Sequence, residues 1–487
     1  MLFKTNIERA FDMDPYRSEK MEAAIQQWQD MQNGIPAWCV EDPDIRTIRF
    51  GNTIARELAA LVTQEIDVKV DPAYGADRAK ADALQEALDK AFLHSCQEQV
   101  EKMVRLGGIM AKWNGDGLDY IPPDRFLVTD YTSDGSIQGA VFFTYYTEKK
   151  QFYTRAEWHQ LIKTVIGEGT DGEKADDRNG NVYRIRNKAF VSDDIKDIGR
   201  PIPLEKTRWA DIEPEVEFHG LEKPLFVYLR NPYSNTIDPD SPLGVSCFAE
   251  CVEELRWLDI AMSTLGVETE DSKPIMFVDN STIQYAKEHL IQLPKFVRGM
   301  DMGVNPDNTV SLWQPQLQIE SRKEGINFFL SIIGYKCGFE PGYFVFDGQT
   351  ISVATATQVE ATERRTIHTV LSYRSLFDRP SSNGEGRVGY LHDLAYVIDT
   401  MMTMGGEVSG YGDYQNYEIY ADFADLTQNE EENKTFDYQL AQNGYMSKAR
   451  FLVRHLGLTE EEAMAMVQEA DQERAAAEAS GGLFDEE

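Results

Sequence analysis

Three helix-forming segments lie between residues 241 and 378 and constrain the fold more than any other feature of the chain. The first, residues 241–272, begins with Ser241 as an expected N-cap and Pro242 in the first helical position. The second, residues 319–338, ends at Gly338, where a left-handed residue is expected after a helix. Apolar residues recur along one face of both segments, which predicts two amphipathic helices. The third, residues 355–378, predicts a longer helix after a loop.

The insert between the first two helices, residues 273–318, differs from the rest of the chain in charge. Its four acidic and four basic residues cancel, whereas the whole chain carries 82 acidic and 48 basic residues and a formal net charge of −34. Such an acidic chain should repel nucleic acid and anionic lipid in bulk solution, so any contact with DNA must be local and weak. The insert could pack against other protein surfaces without this repulsion.

The remainder of the chain combines helices with a run of strands. Residues 112–230 contain short aromatic or β-branched runs between Gly, Pro and Asp turns, which predicts a β-meander. Helices are predicted at 19–31, 50–65, 76–111, 388–404 and 435–479, strands at 66–70 and 417–425, and a flexible tail at 480–487. The fold class is therefore α+β. At 487 residues the chain should form two or more lobes.

No catalytic, cofactor-binding or metal-binding motif stands out in the sequence. The patterns GxxxxGK[ST], GxSxG and HExxH are absent, and the seven histidines are never closer than 24 residues. The five cysteines lack CxxC spacing, which favours reduced thiols over disulfides or a zinc site. No signal-peptide core and no run of 18 apolar residues is found, so a cytosolic protein without membrane contact is expected. We expect no enzyme and no cofactor, with a site built from distant residues as the open alternative.

Some charged residues have two interpretations. Asn114-Gly-Asp116-Gly and Asp238-Pro-Asp240 fit turns, with a divalent-cation site as the alternative. Four acids of the first helix fit a solvated face better than an acid–base pair; they are Glu250, Glu253, Glu254 and Asp259. Three bases of the second helix either pair with neighbouring acids or meet phosphate; they are Arg322, Lys323 and Lys336. Arg322 and Lys336 lie on one flank of that helix, roughly 21 Å apart along its axis.

Several segments, in this order along the chain, resemble portal proteins of tailed bacteriophages with long tails. Residues 121–159 are similar to the wing meander of that family, and residues 228–259 (YLRNPYSNTIDPDSPLG…) to the segment that precedes its first stem helix. Residues 339–366 (FEPGYFVFDGQTISVATATQVE…) resemble the junction in which a Gly/Phe/Asp run leads into a T-A-T-x-V helix start. Residues 417–436 and 443–469 are similar to the passage from wing to crown.

The resemblance implies a portal fold with eight parts. These are an N-terminal α+β wing (1–240), a first stem helix (241–272), a clip (273–318), a second stem helix (319–338), a tunnel loop (339–354), a long helix with the remaining wing (355–434), an α-helical crown (435–479) and a flexible tail (480–487). The Gly/Ser-rich stretch after Phe377 indicates that the long helix breaks near Pro380.

The resemblance also implies a function. The family forms rings of about twelve subunits at one capsid vertex, where the ring is the conduit for packaging and ejection of double-stranded DNA. Implied partners are further copies of the chain, the terminase large subunit, the major capsid and scaffolding proteins, and the head–tail adaptor. The implied location is the virion, and the host cytoplasm during assembly. The alternatives are a nucleotide-hydrolysing motor, which would need the missing phosphate-binding loop, and another virion component such as a capsid or tail-adaptor subunit.

Two sets of site residues follow from this interpretation. Arg322, Lys323 and Lys336 are candidates for bases that face the DNA channel without gripping it. The tunnel loop is expected to overhang the channel with small, mostly uncharged residues. Phe344 and Phe346 are expected to anchor its base or to pack against neighbouring loops. Its further residues are Asp347, Gly348, Gln349, Thr350 and Ser352.

Overall fold

The computed structural model describes most of the chain up to residue 423 and a few stretches after it. The described residues are 4–72, 78–114, 117–163, 181–194, 197–272, 275–293, 297–301, 310–313, 318–346, 356–382, 386–405, 417–423, 438–439, 447–448, 451–452 and 463–468. The chain divides into two compact units, residues 1–423 and residues 424–487. The predicted crown and tail therefore lie almost entirely outside the described residues.

Helices and strands are both abundant, as the α+β prediction requires. The helices are α1 (Lys4–Phe11), α2 (Glu19–Asn33), α3 (Ala37–Glu41), α4 (Phe50–Val62), α5 (Arg78–Ala91), α6 (Cys96–Leu106), α7 (Val252–Asp271), α8 (Asn280–Glu288), α9 (Ile319–Lys336), α10 (Ala356–Phe377) and α11 (Tyr390–Gly405). The strands are β1 (Asp67–Pro72), β2 (Gly108–Trp113), β3 (Leu118–Ile121), β4 (Phe126–Tyr131), β5 (Ile137–Glu148), β6 (Gln151–Ile162), β7 (Val182–Ser192), β8 (Arg200–Ile202), β9 (Glu215–His219), β10 (Phe226–Arg230), β11 (Ile275–Asp279), β12 (Val297–Met300), β13 (Val310–Trp313), β14 (Arg379–Pro380), β15 (Arg387–Val388) and β16 (Tyr417–Asp422).

The predicted meander is the largest sheet. Its strands follow the order β4-β5-β6-β7-β8, and β9 also pairs with β7. Strands β5 and β6 pair from Gly139↔Gln160 to Glu148↔Gln151, so only Lys149 and Lys150 form the turn. Both lysines have positive φ, 48° and 67°, as a two-residue type I′ hairpin demands. One face of this sheet packs on the apolar side of α1 through a buried cluster that includes Ile7, Phe11 and Trp158.

The helical prediction for residues 76–111 is wrong at its C-terminal end. Helix α6 ends at Leu106, Gly107 takes φ +88°, and the next residues form β2 at the centre of the sheet β10-β2-β3. A short apolar run is compatible with a buried strand as well as with a helix. Here β2 is a strand because it pairs with β10 on one side and with β3 on the other. Gly107 also allows a close backbone approach, because a Cβ there would lie 2.4 Å from the carbonyl oxygen of Gly244.

The predicted start of the first long helix at Ser241 and Pro242 is also wrong. Residues 241–248 are buried and non-helical, and α7 begins only at Val252 after a 3-10 turn at Ala249–Cys251. The backbone N–H groups of this segment bond elsewhere: Cys247 donates to the Val104 carbonyl at 3.0 Å and Gly244 to the Tyr228 hydroxyl at 3.2 Å. Packing against α6 and β10 thus supplies the partners that a longer helix would have supplied.

The predictions for the second and third helices, for the helix at 388–404 and for the strands at 66–70 and 417–425 are confirmed, whereas the predicted crown helix lies almost entirely outside the described residues. Helix α9 ends at Lys336, and Gly338 has φ +88° while the N–H of Phe339 donates to the Gly334 carbonyl at 2.9 Å. Helix α10 stops at Phe377, before Pro380. The two strands predicted far apart in sequence, β1 and β16, pair antiparallel from Asp67↔Asp422 to Pro72↔Tyr417.

Candidate functional site

Helices α7 and α9 pack against each other as an antiparallel pair. Their shared interior includes Leu255 and Leu258 on α7 and Ile326, Leu330 and Ile333 on α9, all buried. Two ion pairs mark the register: Arg322 Nε lies 3.0 Å from Glu268 Oε2, and Lys336 Nζ lies 2.5 Å from Glu254 Oε1. The pairing order is reversed along the two helices, as an antiparallel arrangement requires.

The predicted basic residues of α9 are thus brought to α7. Lys336 also donates to the Glu250 carbonyl at 3.0 Å, and the hydrogen bond to Glu254 raises the pKa of the Lys336 ammonium above its usual value. Lys323 is half-buried on the same helix. Arg322 and Lys336 therefore pair with acids of the same chain, which is the first of the two interpretations of these bases. Contact with phosphate stays a prediction for Arg322, Lys323 and Lys336.

Asp259 does not belong to the solvated face of the first helix, so that interpretation is wrong for this residue. Its side chain is buried and accepts hydrogen bonds from Trp38 Nε1 at 3.0 Å and from the Ile48 N–H at 2.9 Å. Burial raises the pKa of this carboxyl above its ordinary value, and the two donors partly offset that increase. Asp259 therefore anchors α7 to the segment around α3.

Three thiols meet where the two helices join the rest of the unit. Cys251 Sγ and Cys337 Sγ are 3.5 Å apart, and both are buried, as is Cys247. All five cysteines are free, so the prediction of reduced thiols agrees with the structure. Burial raises the pKa of the Cys247 thiol, as expected for a thiol packed in the interior.

The first half of the predicted tunnel loop is held by aromatic packing. Phe344 lies edge-on to Phe50 and Phe339, with ring centroids 5.2 and 4.9 Å away. Asn327 clamps the backbone of Phe346, donating to its carbonyl at 2.9 Å and accepting from its N–H at 3.1 Å, while the ring of Phe346 is 59% exposed. The other predicted loop residues, Asp347, Gly348, Gln349, Thr350 and Ser352, lie outside the described residues.

Both helices also present apolar residues to solvent, separate from the buried residues that they share. The α7 outer face comprises Glu253, Trp257, Thr264 and Val267, of which Trp257 and Val267 are 50% and 51% exposed. The α9 outer face comprises Phe328 and Tyr335, 62% and 51% exposed. These exposed apolar side chains are the candidates for contact with another protein surface.

The insert between α7 and α9 forms a small sheet of its own. Strand β11 pairs in parallel with β12 and antiparallel with β13, and α8 follows β11. Apolar residues of this insert are also exposed, foremost Leu290 at 92% and Leu312 at 59%. The sequence predicted its short apolar runs and turns but not their arrangement as a three-stranded sheet.

The described residues contain no cluster of three or more potential metal ligands. The Asn114 motif is a turn in which its Oδ1 accepts from the Gly117 N–H at 3.0 Å; Asp116 lies outside the described residues. At Asp238 the backbone carbonyl accepts from Ser241 at 3.0 Å and the carboxylate from the Tyr16 hydroxyl at 2.9 Å. Both arrangements are those of turns. Among the described helices, none has the length and apolar content needed to cross a bilayer.

Sequence reasoning missed a basic groove beside the helix pair. Lys336 from α9 and Arg364, Arg365 and His368 from α10 line an open cavity of about 570 Å³. Its remaining lining residues are Tyr233, Gly338, Thr369 and Ser372. The dipeptide Arg364-Arg365 in an acidic chain was the available signal, but only the packing of α10 on α9 brings it beside Lys336.

No protein-family model and no curated protein matches the chain. Among solved structures, one chain of the "Neck of empty GTA particle computed with C6 symmetry" is similar at 12% sequence identity and a TM-score of 0.43. The match covers 84% of this chain and 91% of that chain. A similarity this weak supports no functional conclusion.

Proposed function

We propose that this chain is a portal-type subunit that assembles head to tail into a ring of about twelve copies at a capsid vertex. The ring would conduct double-stranded DNA during packaging and ejection and would dock the terminase motor and the head–tail adaptor. The sequence resemblance suggests this role. The observation that carries it is the α7–α9 pair, which has separate exposed apolar faces on its two helices.

Two different exposed faces favour a ring over a two-fold dimer. A dimer with two-fold symmetry buries the same patch on both subunits, whereas a closed ring joins one face of each copy to a different face of the next. The α7 outer face and the α9 outer face are two such patches, one on each helix of the pair. In the proposed ring the helix pairs run along the axis and surround the channel.

The charge of the chain fits a conduit better than a DNA-binding protein. A wall with a net charge of −34 per chain does not hold phosphate strongly, so the duplex can slide. The insert with its exposed Leu290 and Leu312 provides a separate, nearly neutral surface for partners such as the terminase and the adaptor. We propose no catalytic activity and no cofactor.

Imaging and mass measurement of the purified chain test the proposal. We expect annular particles with an axial hole in negative stain, and a single mass of about twelve chains in native mass spectrometry. Trp257→Glu should abolish the rings because it places a charge in the apolar contact. The matched control is Tyr145→Glu, which changes an aromatic residue of the same 50% exposure on the meander and should leave rings intact. Monomers alone, or two-fold dimers, would overturn the proposal.

A further inference from the structure

The basic groove has an unusual charge for this chain. Every described lining residue that carries a formal charge is basic, although acids outnumber bases 82 to 48 in the chain. Arg364 and His368 are exposed and lie one helical turn apart on α10, so both side chains project from the same face. A groove of this kind attracts carboxylates or phosphates.

Arg365 shows that the groove is preorganised. Its guanidinium stacks on the Tyr335 ring at 3.9 Å and donates to the Tyr335 carbonyl through Nη2 at 2.8 Å and Nε at 3.2 Å. Two described acids that contact these bases are already engaged: Glu340 accepts from the Arg365 backbone N–H at 2.7 Å, and Glu254 pairs with Lys336. Arg364 lines the groove with an exposed side chain and makes neither kind of contact with another described residue. It is therefore the groove cation best placed to accept a further anion.

The helix register sets the height of the groove along the pair. Lys336 at the end of α9 contacts Glu254 in the first turn of α7, so the groove and the start of α7 lie at the same level. Copies in a ring whose axis runs along the pair are related by rotation alone, and equivalent atoms keep their height. The start of α7 in the adjacent copy therefore arrives at the level of this groove.

We propose that the basic groove receives Glu253 of a second copy of this chain, with Arg364 as its main partner. This inference rests on the proposed ring. Glu253 belongs to the α7 outer face, its side chain is 72% exposed, and its contact within the chain is a long one of 3.7 Å to Arg256. Trp257 lies one turn after Glu253 on α7, and Tyr335 lies beside Arg365 at the groove. Each side of the proposed contact therefore presents one aromatic residue next to charged residues.

Charge complementarity favours a second copy over nucleic acid as the occupant. Subunits of charge −34 repel one another, so association requires local contacts between opposite charges. Tyr335, whose ring stacks on the groove residue Arg365, is 51% exposed, and an aromatic border suits a protein surface more than a phosphate backbone.

Charge reversal at both positions tests the pairing. Arg364→Glu and Glu253→Arg, each alone, should raise the protein concentration at which half of the chains are in rings by about tenfold or more, because like charges then face each other. The double variant Arg364→Glu/Glu253→Arg should restore most of the wild-type value. Arg78→Glu on α5 is the matched control, since it changes net charge equally at a side chain 83% exposed and far along the sequence from the groove.

Mass photometry over a concentration series gives the ring fraction, and circular dichroism verifies folding of each variant. Rings of Arg364→Glu that assemble like wild type, or a double variant that stays as defective as the single ones, would overturn the pairing while leaving the proposed ring standing. Unimpaired rings with weaker retention of a double-stranded oligonucleotide would overturn it in favour of phosphate. A wild-type chain that never forms rings would overturn the proposed function and this inference together.

Discussion

Glu157 at the centre of β6 offers a sharp test of how this chain tolerates buried charge. Its Oε2 lies 2.9 Å from Lys112 Nζ and 3.0 Å from Arg155 Nη2, and its Oε1 lies 2.9 Å from His159 Nε2. Burial alone would raise the pKa of Glu157, but its contacts with His159, Lys112 and Arg155 hold that pKa well below the usual range. Burial lowers the pKa of His159, and the neighbouring Glu157 opposes that shift.

Replacing Glu157 by Gln keeps the volume and removes the one negative charge. Lys112 and Arg155, with side chains only 6% and 13% exposed, would then be left without a counter-charge. Breaking a buried pair in this way costs about 3–5 kcal/mol, since the remaining cations stay desolvated. If residues 1–423 unfold as one cooperative unit, that loss lowers the midpoint of thermal unfolding by about 3–6 °C.

Differential scanning calorimetry of Glu157→Gln measures this shift, and hydrogen exchange of residues 151–162 assigns it to the sheet. Glu217→Gln is the control: it removes an exposed partner of Arg184 and should change stability by less than about 1 kcal/mol. Adding Lys112→Met to Glu157→Gln should recover part of the loss, because one uncompensated cation disappears. A midpoint within about 2 °C of wild type for Glu157→Gln, or a double variant less stable than the single one, would refute the reasoning.

Three further predictions concern the rest of the unit. Burial would raise the pKa of Asp378, but hydrogen bonds from His392, Arg387 and the Ala421 N–H lower it to about 2. The ionised Asp378 should contribute about 1–2 kcal/mol to the free energy of unfolding after solvent screening. This contribution should be present above pH 4 and lost as the pH falls toward 2, so Asp378→Asn should flatten the dependence of the unfolding free energy on pH in this range. Gly107→Ala should destabilise the chain by about 2 kcal/mol or more in urea titrations, because the added methyl group would lie 2.4 Å from the Gly244 carbonyl oxygen and φ is +88°. An unchanged urea midpoint would contradict the close approach of Gly107 to Gly244. Arg322→Gln with Lys336→Gln should cost less than about 2 kcal/mol in stability. Rings should stay intact in negative stain because Arg364, the main partner of Glu253 in the basic groove, keeps its charge, while packaging or DNA retention changes. Unaltered packaging would remove both bases from the channel.

The sequence predicted the elements whose signals are local. Gly338 marked the end of α9 because a left-handed residue there satisfies the last helical carbonyls, and the helix stripe needs no knowledge of distant residues. The same local rules failed at Ser241 and Pro242. There the backbone bonds to α6 and to Tyr228, partners that no local pattern reveals.

The candidate site divides in the same way. The sequence alone determined the order of helix, neutral insert, helix and loop, the flank shared by Arg322 and Lys336, and the acidic balance, because periodicity and charge are properties of short segments. Only the tertiary structure decided that Arg322 pairs with Glu268, 54 residues away, and that Arg364 and Arg365 join Lys336 in one groove. Ion pairs and grooves depend on the register between elements, and that register is set by the buried side chains of the whole unit.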